Sequence, residues 1–299
     1  MARRIILVAL ILLLSVNVPL LGTSCSKEPE MTLSDIYEKV KPAVVAFAIV
    51  NEQDTNVNFQ IFGSGFCVDP SGIIVTARHV ITDYYEYWLK SPLPQYHTEL
   101  MQPIQQPDFR VVFFRKVSNK YEALWVPVVN FIFPFLGDHP EDDVAVVRIP
   151  KSPSYWGSEY TYLTLGDING LREGDEVAVS GYPLKWPLVS QLADLSEGII
   201  SRIDARIGDN GTWEVTKLQL DITVNAGNSG GPAFVTKSGK VIGLVSQERL
   251  IPLPVVPDEL KSLMAIPAGL SYYIPSETIS KAISALKSAE LNKGNTEKP

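Results

Sequence analysis

Ser229 stands in Ala226-Gly227-Asn228-Ser229-Gly230-Gly231-Pro232, a hydroxyl held between glycines on a turn. Acyl-transfer chemistry asks this of a nucleophile. Gly227 has no side chain to restrict how its peptide unit is turned, so its N–H and that of Ser229 can point at one spot and hold a developing oxyanion. Gly230 and Gly231 let the backbone pack closely behind. Such a turn also occurs as a plain hairpin loop, and two upstream segments weigh against that reading. In the first, Gly63-Ser64-Gly65-Phe66-Cys67-Val68-Asp69-Pro70-Ser71-Gly72-Ile73-Ile74-Val75-Thr76-Ala77-Arg78-His79-Val80-Ile81, two apolar runs flank an Asp-Pro-Ser-Gly turn. This is a hairpin signature, and it places His79 at a strand end where its ring can face a cleft. In the second, Asp142-Asp143-Val144-Ala145-Val146-Val147-Arg148-Ile149 is an alternating strand entered through a carboxylate. His79, Asp143 and Ser229 follow one another as general base, the group that orients it, and nucleophile.

Each choice has a competitor. Asp142 adjoins Asp143 but faces the other way in an alternating strand, and Asp143 stands directly before Val-Ala-Val. His97 lies in a Pro-rich stretch and His139 in Gly-Asp-His-Pro, both loop-like and solvated settings. The bland alternative for His79 is a hydrogen-bonded histidine at a strand end.

Residues 63–81, 143–146 and 225–232 together resemble the trypsin-like serine peptidases, and among them the HtrA/Deg branch of bacterial envelope and organellar proteases. That family's Gly-Ser-Gly-Phe hairpin ending in Thr-x-x-His-Val, its Asp-x-Ala-Val and its Asn-x-Gly-Asn-Ser-Gly-Gly-Pro are all met in order. Ser34 to Val45 is similar to the start of its protease domain and Tyr273 to Leu286 to its closing strand and helix, so the resemblance spans roughly residues 32–290. It implies an all-β fold of two six-stranded antiparallel barrels of the chymotrypsin/trypsin type with a C-terminal helix. It further implies that His79 takes the Ser229 proton during attack on a peptide carbonyl and passes it to the leaving amine. Asp143 would accept the other imidazole N–H, and Gly227, Asn228 and Ser229 would form the oxyanion hole. Asn228 stands where digestive trypsins have an aspartate that pairs with a freed N-terminal amine. An amide cannot make that pair, so activation by cutting a pro-segment is not expected and ordering of the loops around Gly227 is the expected control.

Substrate-pocket positions follow from the resemblance alone. Asp221-Ile222-Thr223-Val224-Asn225 offers no carboxylate at Thr223, where enzymes selecting Lys or Arg place one. Thr223 and Val224 line the expected pocket, Ser246 lies on the strand that pairs with substrate backbone, and Ser271 is on the opposite wall. A small or medium aliphatic residue on the acyl side of the cut is the resulting expectation, with Asp221 read as structural. About 60 residues separate His79 from Asp143, roughly twice what compact relatives need. They hold Tyr84-Tyr85-Glu86-Tyr87-Trp88, a Pro/Gln-rich run from Pro92 to Pro107, and Phe131 to Leu136. Aromatic clusters of this kind are usually core, the alternative being a recognition surface beside the cleft.

The elements that must position these residues need a long chain, and 299 residues, 45% of them hydrophobic, can bury one or two sizeable cores. The formal net charge of −7 disfavours nucleic acid as a partner. Residues 1–24, Met-Ala-Arg-Arg followed by an apolar run to Leu21, have the form of a secretory signal, and losing Arg3 and Arg4 takes the charge from −7 to −9. The protein is therefore expected to be exported, to a bacterial envelope and periplasm on the family resemblance. Leu21-Gly22-Thr23-Ser24-Cys25 resembles a lipoprotein processing site, apart from Gly22 where leucine is usual, which implies lipid on Cys25 and a membrane tether. Ordinary signal cleavage and an uncleaved anchor stay open. Cys25 and Cys67 are the two cysteines, and Cys67, in an apolar strand, reads as a small buried hydrophobe rather than half of a disulfide. No Cys/His cluster has metal-ligand spacing, so neither metal nor cofactor is expected.

Residues 25–31 read as a tether. The protease domain follows over 32–291: Thr32-Leu-Ser-Asp35 offers a capping box for a helix to about Val40, stopped by Pro42. Short β-rich runs over about 43–150 make the first barrel, Lys151–Glu159 the crossing and about 160–275 the second barrel. An amphipathic helix over 276–291 closes the fold and 292–299 is a flexible tail. His79 and Asp143 thus come from one half and Ser229 from the other. The chain stops after this helix, so regulation through a peptide-binding PDZ domain is not expected. Polypeptides, unfolded ones among them, are the expected partners, and the sequence leaves monomer or oligomer open. Two further functions compete: a latent peptide-binding or chaperone-like module, against which the intact His79, Asp143 and Ser229 speak, and hydrolysis of a non-peptide ester. The lack of a Gly-x-Ser-x-Gly elbow on a strand-to-helix turn disfavours an α/β-hydrolase.

Overall fold

The computed structural model describes residues 31–51, 58–84, 86, 109–133, 143–183, 192–208, 211–252 and 265–296. The signal, Cys25, Asp142, His97 and His139 lie outside them.

Helix α1 (Leu33–Val40) begins at the expected capping box. The Thr32 N–H donates to Asp35 Oδ2 at 2.9 Å while the Asp35 N–H donates to Thr32 Oγ1. Ile36 and Val40, one turn apart, bury the same face. Lys41–Ala43 tightens into a single 3-10 turn around Pro42, which lacks the N–H a longer helix would need.

The first half is a seven-stranded antiparallel sheet built from β1 (Val44–Asn51), β2 (Asn58–Asp69), β3 (Ile73–Thr76), β4 (Phe109–Val117), β5 (Lys120–Pro127), β6 (Asn130–Ile132) and β7 (Ala145–Arg148). Its strand order is β5-β4-β1-β2-β3-β7-β6. The run from Lys120 to Ile132 divides into β5 and β6 at Val128 and Val129, which gives seven strands where six were expected. At the β2–β3 turn Asp69 Oδ1 accepts from both the N–H and the hydroxyl of Ser71, and Gly72 takes φ +95°, a conformation glycine adopts without penalty. β1 is buried on both faces from Val44 to Ala48, hence its unbroken apolar run.

The second half is a closed six-stranded barrel, as expected. β8 (Glu176–Gly181), β9 (Asp194–Ile207), β10 (Trp213–Leu220), β11 (Pro232–Val235), β12 (Val241–Pro252) and β13 (Ala265–Pro275) close in the order β10-β13-β12-β11-β8-β9. Val177, Val179, Ile200, Leu218, Leu220 and Tyr273 fill its interior. The crossing runs longer than Lys151–Glu159. Tyr160 and Leu163 still bond back to Pro70 and Cys67 of the first half, and Thr164 O and the Gly166 N–H are the first to bond Val241 of the second.

Helix α3 (Ser276–Thr296) closes the fold and runs past the expected Leu291. Ile279, Ala282 and Leu286 bury one stripe, worth about 1.5–3 kcal/mol for each large aliphatic side chain. At its far end Glu290 accepts two hydrogen bonds from Arg148 of β7, at 2.8 and 2.7 Å. Among the described residues no helix is long and apolar enough to cross a membrane.

Candidate active site

β3 ends at Thr76, and His79 sits in a short helix, α2 (Arg78–Asp83), rather than at the strand end expected for it. Val80 and Ile81 are buried beneath that helix, and their β-branched apolar side chains make the segment look like a continuing strand. Asp143 lies just before β7. One carboxylate oxygen accepts the His79 main-chain N–H at 2.9 Å and the other meets His79 Nδ1 at 2.8 Å. Two contacts to one residue fix both the position of the ring and the face it presents. The His79 side chain keeps 36% exposure, so the ring remains open to a substrate, while Asp143 is at 18%. Burial works against charging the ring, but the hydrogen bond and charge of Asp143, with Asp83 adding to them, hold His79 above its ordinary value. Asp83 is itself raised, first by burial and then by Glu86 and Asp143, against the pull of His79.

A third partner completes the carboxylate. Ser246 on β12 donates its hydroxyl to Asp143 Oδ2 at 2.6 Å. The sequence placed Ser246 beside substrate backbone and gave no sign of this bond, since a serine on an alternating strand does not announce which way it turns.

The turn bearing Ser229 is wedged between the halves. Gly230 has φ +84°, and a Cβ there would strike Ser64 O, Thr76 Oγ1 and the Ala77 N–H, so glycine is required for both shape and space. The Gly230 N–H donates to Val245 O at 2.7 Å, one residue from Ser246, and Ser64 donates its N–H to Ser229 O at 2.9 Å. The turn is thereby fastened next to the segment leading into His79 and next to the partner of Asp143. Among the described residues the Ser229 hydroxyl makes no hydrogen bond; catalytic bonds of this kind often tighten only when substrate arrives.

Of the three expected oxyanion donors, Asn228 is a correction. Its N–H is taken by Asn225 O at 3.0 Å, which closes the turn and commits that donor within it. Gly227, at φ +95°, and Ser229 keep N–H groups that meet no acceptor among the described residues. The Asn228 side chain is buried, and its Oδ1 finds no partner among the described residues.

The expected pocket is mixed in its placement. Thr223 is exposed near Gly269 and Val224 is buried. Ser271 is a second correction: fully buried, its hydroxyl donates to Ile222 O and pairs with Tyr273 Oη, so it braces the wall from behind. Asp221 accepts the Ile199 N–H at 2.6 Å, the structural role expected for it. In the segment between His79 and Asp143, Tyr84 is buried and stacks on Phe109 at 4.2 Å, and Phe131 and Phe133 are also buried, which fits the core reading for the aromatics that are described. Cys67 is buried and free, and burial pushes its thiol up to about 12. Among the described residues no group of His, Cys, Asp and Glu could hold a metal ion.

The profile of the trypsin-like peptidase domain matches residues 63–244. A probable periplasmic serine endoprotease, DegP-like, of Brucella suis is 27% identical over 297 residues, covering 90% of this chain and 51% of that protein. The putative protease Do-like 14 of Arabidopsis thaliana is 27% identical over 259 residues, covering 86% and 48%. The chain thus spans about half the length of these curated relatives. Among solved structures, the HtrA-type protease AlgW with decapeptide superimposes with a TM-score of 0.53 at 17% identity, covering 87% of this chain and 69% of that one, a likeness of fold.

Proposed function

Because the chain belongs to the trypsin-like peptidase family, we propose that it is a serine endopeptidase that cuts protein chains through an acyl-enzyme on Ser229. His79 takes the Ser229 proton as the hydroxyl attacks the peptide carbonyl, then gives it to the departing amine. Asp143 holds the Nδ1 proton throughout, so the nitrogen facing Ser229 is the basic one. The N–H groups of Gly227 and Ser229 hold the oxyanion, where a single donor is worth about 10²–10³ in rate. Water then attacks the ester carbonyl, with His79 again taking the proton, and frees Ser229.

The observation that supports this best is the double hold of Asp143 on His79, at 2.8 Å on the ring and 2.9 Å on the main chain. A histidine retained for packing alone needs no carboxylate on both its ring and its backbone. The names of the DegP-like relatives support an exported protein of the bacterial envelope acting on polypeptides there. A lipid on Cys25 would keep it at the membrane surface.

The test is labelling of residues 26–299 with a fluorophosphonate probe, together with cleavage of a reduced, unfolded protein. Both activities should vanish in Ser229→Ala and in His79→Ala. A folded wild-type protein that takes no label would reduce the reading to a binding module on a protease fold.

A further inference from the structure

We infer that Ser64 is a positioning residue for the oxyanion turn, an inference that rests on the peptidase reading above. Ser64 lies on β2 in the first half and is fully buried. Its hydroxyl stands between two groups of the second half, the Tyr182 N–H at 2.7 Å and the Gly227 carbonyl at 2.6 Å. An N–H can only donate, so Ser64 Oγ accepts there and its one proton is committed to Gly227. The direction of the hydroxyl is settled by chemistry, with no second rotamer of the proton able to satisfy both neighbours.

This bond has a particular consequence for the oxyanion donors. The peptide unit after Gly227 is held at both ends, its carbonyl by Ser64 and its N–H by Asn225 O. With that plane fixed, the Gly227 N–H can be moved only by rotation about the two backbone bonds at its Cα, and φ is already in the region open to glycine, at +95°. Ser64 also holds Ser229 O through its own N–H, so one residue of the first half holds the carbonyls of both residues that flank Asn228. Its carbonyl is in turn fixed by the Thr76 hydroxyl at 2.6 Å, which keeps the strand from shifting away. Tyr182, whose N–H completes the bridge, sends its own hydroxyl to Val44 O of β1 and is buried with it.

Removing the Ser64 hydroxyl leaves the Gly227 carbonyl and the Tyr182 N–H buried without a partner. The peptide can escape by turning, which carries the Gly227 N–H off its target. Because loss of a whole donor costs about 10²–10³ in rate, loosening one should cost about 10–100-fold in kcat, with KM for a short peptide ester within twofold. Ser64→Ala is the test, with Ser64→Cys as a variant of closer volume in case the alanine form folds poorly. Three readouts separate positioning from general damage. Affinity for a peptide boronate, which places an oxygen in the hole, should fall in parallel with kcat. The His79 titration seen by NMR should stay where it is in the wild type, because the Asp143 contacts are untouched. Amide exchange at Asn228 should rise. Wild-type kcat and boronate affinity in a folded Ser64→Ala protein would overturn the inference while leaving the triad standing. Absence of turnover in the wild type would instead overturn the peptidase reading; unchanged exchange at Asn228 would then sink the positioning role as well, and faster exchange would uphold it.

Discussion

Asp143→Asn exchanges one carboxylate oxygen for an NH₂ without changing the shape of the side chain, and the contacts dictate how the amide must turn. One oxygen of Asp143 accepts the His79 main-chain N–H at 2.9 Å, and a main-chain N–H cannot become an acceptor. The amide oxygen therefore takes that place, and the NH₂ faces His79 Nδ1 and the Ser246 hydroxyl, 2.8 and 2.6 Å from the atom it replaces. Ser246 can rotate its proton away. His79 has to present a bare Nδ1, which puts its proton on the nitrogen that should receive the one from Ser229. A base in the wrong tautomer costs about 10⁴ in kcat, or about 5 kcal/mol at roughly 1.36 kcal/mol per tenfold. The pH profile should move too. His79 works only when neutral, and Asp143 raises it above its ordinary value of 6.5, so wild-type kcat/KM should fall on the acid side around a midpoint above 6.5. In Asp143→Asn that midpoint should drop. The assay is kcat/KM from pH 5 to 10 on a chromogenic peptide ester, with thermal melting to show that the variant is folded. A folded Asp143→Asn within tenfold of wild type at pH 7.5 would refute the tautomer argument.

The same coupling bears on stability. A histidine raised on folding contributes stability that is fully present below its unfolded value and lost as pH climbs through its folded value, so the deficit of Asp143→Asn in urea unfolding should be larger at pH 5.5 than at pH 9. Gly230→Ala puts a Cβ against the Ser64 carbonyl and Thr76 at a left-handed φ, and should lose about 3 kcal/mol or more, or fail to fold, as read by expression and melting. Arg148→Ala leaves Glu290 half-buried and unpaired and should cost about 1–3 kcal/mol in chemical denaturation without altering the His79 titration. Cys67, with its thiol raised to about 12, should resist iodoacetamide at pH 8 in the folded protein and react readily in urea.

What could be read from residues alone was whatever local chemistry dictates. The Asp69-Pro-Ser-Gly72 turn, the capping box at Thr32 and the glycines around Ser229 each depend on neighbours within a few positions, and each has the form expected. The carboxylate before Val144-Ala145-Val146 was legible for the same reason. What escaped depends on where a side chain turns once distant strands meet. Ser246 toward Asp143 and Ser64 toward Gly227 join residues 103 and 163 positions apart, and no periodicity encodes such a meeting. Ser271 was misplaced on the same account, its hydroxyl drawn inward by Ile222 O. The helix at His79 was hidden because Ala77 offers no capping side chain and Val80-Ile81 favours a strand by propensity.

The halves of the molecule are sewn together at Ser64, Thr76 and Gly230, and the order of the chain gives that seam a meaning in time. Residues are threaded out of the ribosome, and through any export pore, from the N-terminus onward. The half that holds His79 and Asp143 emerges about 80 residues before β11 and β12 exist to brace the turn of Ser229. On the triad reading, a growing chain can hold a base and its carboxylate and yet threaten no neighbour. Hydrolytic capacity arrives only when the last barrel has closed on the first sheet. Such a protein is silenced during its own synthesis by incompleteness.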